Sequence, residues 1–220
     1  FSRILQSTGE DNEVEGYELD MNAFINSRTD GRTDYFITEA DTTGFSCVIR
    51  IDLSGSMASG SLPICKTIVG NLLESVKKVP RVKVKVVGWC GSSGATQIYE
   101  AEDVEKLSKF TTSGMTPMAN GMWHCKKTLD QMNGTKKVMF FLTDGLPNDM
   151  DDIPQVKEAV NLLRNSKASV LGIGIGGCTD NNTFTKMFGK GWISVQDASQ
   201  VERVLQKDFV KEVSSFLRGN

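Results

Sequence analysis

The chain has 220 residues, of which 39% are hydrophobic and 24% are charged, and its formal net charge at pH 7 is −2. This composition is that of a folded globular protein and excludes both a disordered chain and a strongly basic nucleic-acid binder. No apolar run approaches the ~20 residues that a membrane-spanning helix needs. From the charge we therefore expect no nucleic acid among the partners, and from the missing apolar run we expect no membrane.

The first 44 residues are polar and interrupted by turn signals. Within them the pattern predicts a short helix over residues 19–25 and a strand over residues 34–38. No Pro-rich or Ser-rich linker separates this piece from the rest of the chain. We therefore expect residues 1–44 to form an extension packed on a main domain of residues 45–220, rather than an independent domain.

From residue 45 onward, predicted strands alternate with predicted helices. The apolar run at 138–142 is typical of a strand buried on both faces of a sheet. The alternation predicts an α/β fold, in which an open and mostly parallel sheet carries helices on both faces. The predicted strands cover residues 45–51, 82–89, 137–143, 168–175 and 192–195, with a short one near 98, and the predicted helices cover residues 62–79, 104–110, 117–132, 154–165, 182–188 and 201–217.

Oxygen-bearing side chains follow the carboxyl ends of two predicted strands, where open α/β sheets bind their ligands. Asp52, Ser54 and Ser56 come after the first strand, Asp144 comes after the apolar strand, and Thr116 lies in a loop that opens a helix. Carboxylates and hydroxyls without histidine or cysteine suit a hard cation. We therefore predict a Mg²⁺ or Mn²⁺ site made of these five residues.

This set of residues resembles the metal-ion-dependent adhesion site of von Willebrand factor type A domains. The resemblance rests on the Asp-x-Ser-x-Ser that begins at Asp52, on Thr116, and on the Thr-Asp-Gly around Asp144. It implies a Rossmann-like fold in which Ser54, Ser56 and Thr116 bind the cation directly or nearly so. Asp52 and Asp144 would act mainly through water and hydrogen bonds, and an Asp or Glu of a protein partner would complete the coordination.

Three further stretches resemble particular branches of that family. Residues 114–122 are similar to the loop of magnesium- and cobalt-chelatase subunits and MoxR-associated proteins, which work with hexameric AAA+ ATPases, and residues 16–20 share a weaker likeness. Residues 143–149 are also similar to tellurite-resistance relatives, which is the alternative. The resemblance implies a non-catalytic adaptor or regulatory domain, and we expect partner contacts from Met57, Met115, Pro117, Leu146 and Asp149.

The five cysteines are sparse and odd in number, and no two of them have C-x-x-C spacing. This pattern does not indicate a disulfide framework or a zinc ribbon. We interpret the cysteines as reduced thiols of a cytoplasmic protein.

A metal-dependent phosphohydrolase that uses the same cation to activate water is the competing function class. Beyond the two aspartates of the predicted site, the sequence offers no evident general base. The single histidine, His124, lies in a predicted helix, and there is no Gly-x-Ser-x-Gly motif around a nucleophile. These absences favour a domain that is not an enzyme by itself.

Residues 172–177 satisfy the G-x-G-x-x-G pattern, and Asp197 follows at the spacing of a dinucleotide-binding fingerprint. However, Gly172 and Gly174 fall inside a predicted strand rather than in the turn after it. We interpret these glycines as small residues that let a helix pack closely on the sheet.

Two charged features allow two interpretations each. Arg50 lies in the first predicted strand of the main domain, and we expect it to pair with the extension, although a role in the metal site is the alternative. The acidic run at 149–152 is interpreted as a solvated loop and helix cap, with an acidic contact surface beside the metal as the alternative.

Overall fold

A computed structural model describes residues 18–19, 36–37, 44–92, 95–150, 152–176 and 181–217. Near the amino terminus, β1 (Glu18–Leu19) pairs antiparallel with β2 (Phe36–Ile37). The predicted strand is thus confirmed at 36–37. Leu19, predicted to begin a helix, instead pairs with Phe36, a contact between distant segments that local periodicity does not reveal. The rest of that predicted helix lies outside the described residues, and the domain division stays a prediction.

The main sheet has six strands in the order β5-β4-β3-β6-β7-β8. Neighbouring strands are parallel, except that β5 runs antiparallel to β4. The predicted α/β class, with an open and mostly parallel sheet, is confirmed. The strands are β3 (Phe45–Asp52), β4 (Val82–Ser92), β5 (Ala95–Ala101), β6 (Lys136–Thr143), β7 (Ser169–Ile175) and β8 (Trp192–Val195).

Helices cover both faces of this sheet. One face carries α1, α2 and α6, and the opposite face carries α3, α4 and α5. A 3₁₀ helix at Gly55–Ser59, which the sequence patterns did not predict, connects β3 to α1. The helices are α1 (Ser61–Val76), α2 (Val104–Ser108), α3 (Met118–Gln131), α4 (Asp152–Asn165), α5 (Asn181–Phe188) and α6 (Ser199–Leu217).

Two central strands, β3 and β6, contribute side chains to the hydrophobic core on both faces of the sheet. Consecutive residues of a strand point to opposite faces, so Phe140 contacts Phe209 of α6 while Phe141 contacts Trp89 and Phe188. Burial of each such side chain contributes about 1.5–3 kcal/mol. The central strands are therefore apolar on both sides, which is why their sequence reads as a continuous apolar run.

The cysteines of the described region are free thiols buried in this core. Burial raises the pKa of Cys65 to about 12 and that of Cys125 to about 12, so both are protonated at neutral pH. Cys178 lies outside the described residues. Among the helices of the described region, none is both long and apolar enough to cross a membrane.

Candidate metal centre

The chain order creates a crevice between β3 and β6. The connection after β3 runs through α1 to β4 on one side, whereas the connection after β6 runs through α4 to β7 on the other. Two parallel neighbours whose connections diverge in this way leave a gap at their carboxyl ends. Asp52 is the last residue of β3, and Asp144 directly follows β6. Both predicted carboxylates therefore stand at the gap.

Asp52 is fully buried, and both of its carboxylate oxygens accept hydrogen bonds from the protein. The backbone N–H of Ser54 donates to Oδ1 at 2.8 Å, and Thr143 Oγ1 donates to Oδ2 at 2.5 Å. Burial raises the pKa of Asp52, and the two hydrogen bonds partly oppose that rise. Asp52 thus ties the loop after β3 to the end of β6.

The hydroxyls of Ser54 and Ser56 lie 3.0 Å apart, and Ser56 Oγ donates to Asp144 Oδ1 at 2.8 Å. These groups run from a buried residue, Ser54, to the exposed Ser56 and the half-buried Asp144. Partial burial raises the pKa of Asp144, and the hydrogen bond from Ser56 lowers it. Four of the five predicted residues are therefore linked by hydrogen bonds into one cluster that opens to the surface.

The loop that carries Thr116 lies against the loop after β3. Backbone hydrogen bonds join Ser113 N to Leu53 O at 2.8 Å and Gly55 N to Gly114 O at 3.1 Å. A third joins the N–H of the residue before Thr116 to the carbonyl of Gly91 at 2.8 Å. Thr116 is itself buried, with 4% of its surface exposed. The structure therefore brings the fifth predicted residue to the same edge of the sheet.

Asn148 and Asp152 hold the Thr116 segment from the α4 side, and sequence reasoning gave neither of them this role. Asn148 Oδ1 accepts the N–H of Thr116 at 2.5 Å, and Asp152 Oδ2 accepts the N–H of Ala119 at 3.1 Å. Helix α3 has no side-chain cap from the residue at its own start, Pro117, so the carboxylate of Asp152 satisfies a free N–H there. Asp152, the last residue of the acidic run, thus caps a helix, as interpreted, but the helix is α3 and the carboxylate is buried rather than solvated.

Arg50 lies under the site, with its guanidinium between two aromatic rings. The guanidinium carbon is 3.5 Å from the ring centroid of Trp89 and 4.1 Å from that of Phe141, and Nη2 donates to Met118 O at 2.8 Å. A Cβ on Gly121 would collide with this group, so only glycine fits there. Burial lowers the pKa of Arg50 to about 9.

Among the described carboxylates, none lies within ion-pair distance of Arg50. The acidic side chains of the extension, with which we expected an ion pair, lie outside the described residues, so that pairing stays a prediction. Nε and Nη1 of Arg50, and Nε1 of Trp89, are buried without a hydrogen-bond partner in the described structure. Stacking on aromatic faces replaces part of the lost hydration. Arg50 contacts Met118, which lies two positions after Thr116 in the sequence. This contact gives a structural basis to the alternative interpretation, in which Arg50 supports the metal site.

The residues predicted to contact a partner divide into exposed and buried ones. Met115 is 51% exposed, Asp149 is exposed and Leu146 is half-buried. Met57 is fully buried in the core between the sheet and α1, because the 3₁₀ helix turns it inward, and Pro117 is also buried. The side chains of Met57 and Pro117 therefore do not form part of the surface.

The donor set fits a hard divalent cation. Neighbouring ligands of an octahedral Mg²⁺ lie about 2.1 Å from the ion and hence about 3.0 Å from each other. The Ser54 and Ser56 hydroxyl oxygens have this separation, 3.0 Å. The described residues contain no group of three or more His, Cys, Asp or Glu side chains placed to hold a metal ion. A site in this region would therefore depend on hydroxyl ligands, as the sequence predicted.

The other candidate features have structural roles. Gly172 lies inside β7, and a Cβ there would be 3.0 Å from the Phe188 ring, so a small residue lets α5 pack on the sheet as interpreted. His124 is on the surface of α3, where Nε2 lies 2.7 Å from Oε1 of Glu100.

Comparison with known proteins identifies the family. A family model of the von Willebrand factor type A domain matches residues 47–208, which is most of the chain. The chain belongs to this family. The matched region contains every residue of the candidate metal centre and the whole sheet from β3 to β8, except the first two residues of β3. No curated protein sequence matches the chain.

Solved structures share the type A fold at low sequence identity. Proximal thread matrix protein 1 from the mussel byssus, whose structure has a zinc-occupied metal-ion-dependent adhesion site, is 16% identical with a TM-score of 0.63; the match covers 79% of this chain and 46% of that one. Manganese-loaded TRAP protein of Plasmodium vivax is 15% identical with a TM-score of 0.54, and the match covers 74% of this chain and 72% of that one. The vWF domain of the type V pili tip protein Mfa5 from Porphyromonas gingivalis is 11% identical with a TM-score of 0.62, and the match covers 81% of this chain and 98% of that one. The chain thus spans about half of the mussel protein.

Proposed function

We propose that this chain is a divalent-cation-dependent protein-interaction domain that is not an enzyme by itself. Ser54, Ser56 and Thr116 would hold Mg²⁺ or Mn²⁺, while Asp52 and Asp144 would orient these hydroxyls. The bound cation would supply a positive charge that attracts the carboxylate of an Asp or Glu on a protein partner. The exposed Met115 and Asp149, together with Leu146, would contact that partner around the ion.

The observation that carries this proposal is the row of oxygens formed by Ser54, Ser56 and Asp144. It pairs two neutral hydroxyls 3.0 Å apart with one carboxylate, at an edge of the sheet that is open to solvent. Neutral ligands leave more of the cation's charge uncompensated than a cage of carboxylates does. A site of this composition therefore attracts a further carboxylate, which a partner can provide.

The structures of the mussel and Plasmodium proteins support a divalent cation, since the first has zinc and the second has manganese. Mg²⁺ is our preferred ion for this chain because all five residues offer oxygen, which Mg²⁺ favours, and none offers nitrogen or sulfur. Calorimetric titration of the purified chain with Mg²⁺, Mn²⁺ and Zn²⁺ measures the preference directly.

Ser54→Ala tests the function. The variant removes a metal ligand in this proposal and leaves the buried carboxylate of Asp52 in place. We expect loss of Mg²⁺ binding and loss of every protein that the wild-type chain captures from a lysate in Mg²⁺ but not in EDTA. The matched control is Ser75→Ala, the same change at a residue of α1 whose hydroxyl donates to the backbone carbonyl of Asn71.

Capture that persists in EDTA, or in Ser54→Ala, contradicts the proposal. A phosphatase assay on the same samples tests the competing class: hydrolysis that needs Mg²⁺ and disappears in Ser54→Ala would make the chain an enzyme. Circular dichroism of both variants shows whether they remain folded.

The partner class is a narrower part of the proposal. The loop around Met115 and Thr116 resembles that of chelatase and MoxR-associated subunits, which supports a hexameric AAA+ ATPase as the partner and a cytoplasmic location. The buried free thiols of the described region are compatible with a reducing compartment. Mass spectrometry of the Mg²⁺-dependent capture decides the partner class, since an AAA+ ATPase is expected among the bound proteins.

A further inference from the structure

A groove lies at the edge of the sheet, at the end opposite the metal centre. It encloses about 470 Å³ between the carboxyl ends of α1 and α3, with the first half of β4 as its floor. Leu73 and Val76 of α1 line one wall, and Met132, directly after α3, lines the other. Helices α1 and α3 cover opposite faces of the sheet. The space between them beside β4 therefore continues the plane of the sheet and has room for one further strand.

The floor of this groove is an incomplete sheet edge. Strand β4 pairs with β3 along one side from Val82 onward, but on its other side β5 pairs with it only from Val86 onward. Within the described structure, residues 82–85 therefore have no strand partner on that side. An edge of this kind pairs readily with an extended segment.

The groove is basic, and the chain contains a segment of opposite charge. Lys77, Lys83 and Lys85 line it, and the one acid among its lining residues, Glu102, pairs with Lys85 at 3.4 Å on the surface. Residues 1–43 contain ten acidic and three basic residues, a net charge of −7, whereas residues 44–220 contain 17 acidic and 22 basic residues, a net charge of +5. The amino-terminal part of the chain is therefore complementary to the domain in charge.

One stretch of that segment also has the same alternation of charged and apolar residues as the strand at the floor of the groove. Residues 13–15 are Glu-Val-Glu, and residues 83–85 of β4 are Lys-Val-Lys. Residues opposite each other on paired strands share a face of the sheet. In either strand direction, a segment centred opposite Val84 places each glutamate against a lysine and valine against valine.

The tether is short enough for this contact. Glu18 pairs with Ile37, so the path from residue 15 to Gly44 crosses between β1 and β2 and involves only about ten residues, which reach about 33 Å when extended. Gly44 itself lies at the same end of the sheet as the groove, since Phe45 N donates to Arg81 O, directly before Val82. A tethered segment binds at a high effective concentration.

We propose that residues 13–15 of this chain add to the free edge of β4 at residues 82–85, with Glu13 and Glu15 opposite Lys83 and Lys85. This docking fixes the amino-terminal extension on the main domain and completes the sheet at its amino end. It leaves the carboxyl end, with the metal centre, open to a partner.

Hydrogen exchange of the whole 220-residue chain in EDTA tests the docking. In the wild-type chain we expect the amides of residues 82–85 that point away from β3 to be protected, and in E13K/E15K to exchange about tenfold faster or more. K83E/K85E is expected to show the same loss. The combined variant E13K/E15K/K83E/K85E exchanges the two charges and is expected to restore protection.

The matched control is E158K/E202K, which changes the net charge equally at exposed residues of α4 and α6 and is expected to leave protection unchanged. Equal exchange in the wild type and E13K/E15K overturns the proposal, as does a combined variant that stays unprotected. Protection that rises with protein concentration means that a second copy occupies the groove, which also overturns it. None of these outcomes depends on Mg²⁺, so they leave the proposed function untouched.

Discussion

The two ends of the central sheet differ in how far their polar groups are hydrogen-bonded within the domain. At the carboxyl end, both carboxylate oxygens of the buried Asp52 accept hydrogen bonds, one from the backbone N–H of Ser54 and one from Thr143 Oγ1. At the amino end, residues 82–85 of β4 pair with β3 on one side but have no strand partner on the other side in the described structure, and lysines surround an aliphatic floor. One end is organised in advance by hydrogen bonds, and the other is a pairing surface.

This difference indicates two kinds of recognition. Coordination of a cation needs ligand oxygens fixed within a few tenths of an ångström, so the support beneath them matters. Pairing along a strand edge needs only an extended backbone and compatible charge, so many side chains there tolerate change. Substitutions at one end should therefore leave the other end unaffected, and the variants below test that separation.

The largest effect is expected from Arg50→Ala, which removes the buried guanidinium beneath the carboxyl end of the sheet. The change removes the hydrogen bond that the guanidinium donates to Met118 O and opens a cavity between Trp89 and Phe141, so we expect a loss of about 3–5 kcal/mol in the free energy of unfolding. Urea denaturation followed by circular dichroism measures it.

The control for that change is Arg50→Met, which keeps most of the volume. Because two of the guanidinium nitrogens make no hydrogen bond in the described structure, an apolar side chain of similar length is expected to cost clearly less than alanine. Equal losses for the two variants would show that the charge of Arg50, and not its packing, stabilises the domain.

The next largest effect is expected from Asp144→Ala, which removes the carboxylate that holds Ser56. Loss of a supporting group of this kind lowers metal affinity by about 10–100-fold. Titration of the variant with Mg²⁺ measures the change, and K83E/K85E, at the opposite end, is the matched comparison. An equal loss of affinity in K83E/K85E would break the separation of the two ends.

The sequence was sufficient to predict the main fold because its signals are local. Apolar alternation in β4 and the continuous apolar run in β6 follow directly from which faces of each strand are buried. Proximity of Asp52 and Asp144 also followed, because each comes directly after a strand and neighbouring parallel strands end at one edge. The apolar pattern of each strand, together with the rule that parallel strands end at the same edge of the sheet, is thus enough to predict that the two carboxylates are close together.

The supporting contacts were not predictable in this way. Asn148 and Thr116 are 32 residues apart, and Arg50 and Met118 are 68 apart, so each contact depends on how whole elements pack. The inward turn of Met57 depends on the 3₁₀ helix after β3, for which the sequence gives no strong signal. Motif spacing therefore indicates the residues at the surface of the site better than the residues that hold them in place.

Asn148→Ala tests the support of Thr116 from the α4 side. It leaves the Thr116 N–H without its acceptor, so we expect a loss of about 1–2 kcal/mol in the free energy of unfolding. Displacement of the Thr116 loop should also weaken Mg²⁺ binding, by less than Asp144→Ala does. Titration and urea denaturation measure the two effects, with Asn71→Ala on the exposed surface of α1 as the control. Unchanged Mg²⁺ affinity would mean that Thr116 reaches its position without this contact.

The smallest effect is expected from His124→Gln. The imidazole contacts Glu100 at the surface, and exposed pairs of this kind contribute about 0–1 kcal/mol, so the free energy of unfolding should change little. His124 belongs to neither end of the sheet, and Mg²⁺ affinity and exchange at residues 82–85 should both equal those of the wild type. Loss of Mg²⁺ affinity in this variant would show that a group outside the five-residue set contributes to the site, because this pair between α3 and β5 makes no contact with the hydroxyls of Ser54 and Ser56 in the described structure.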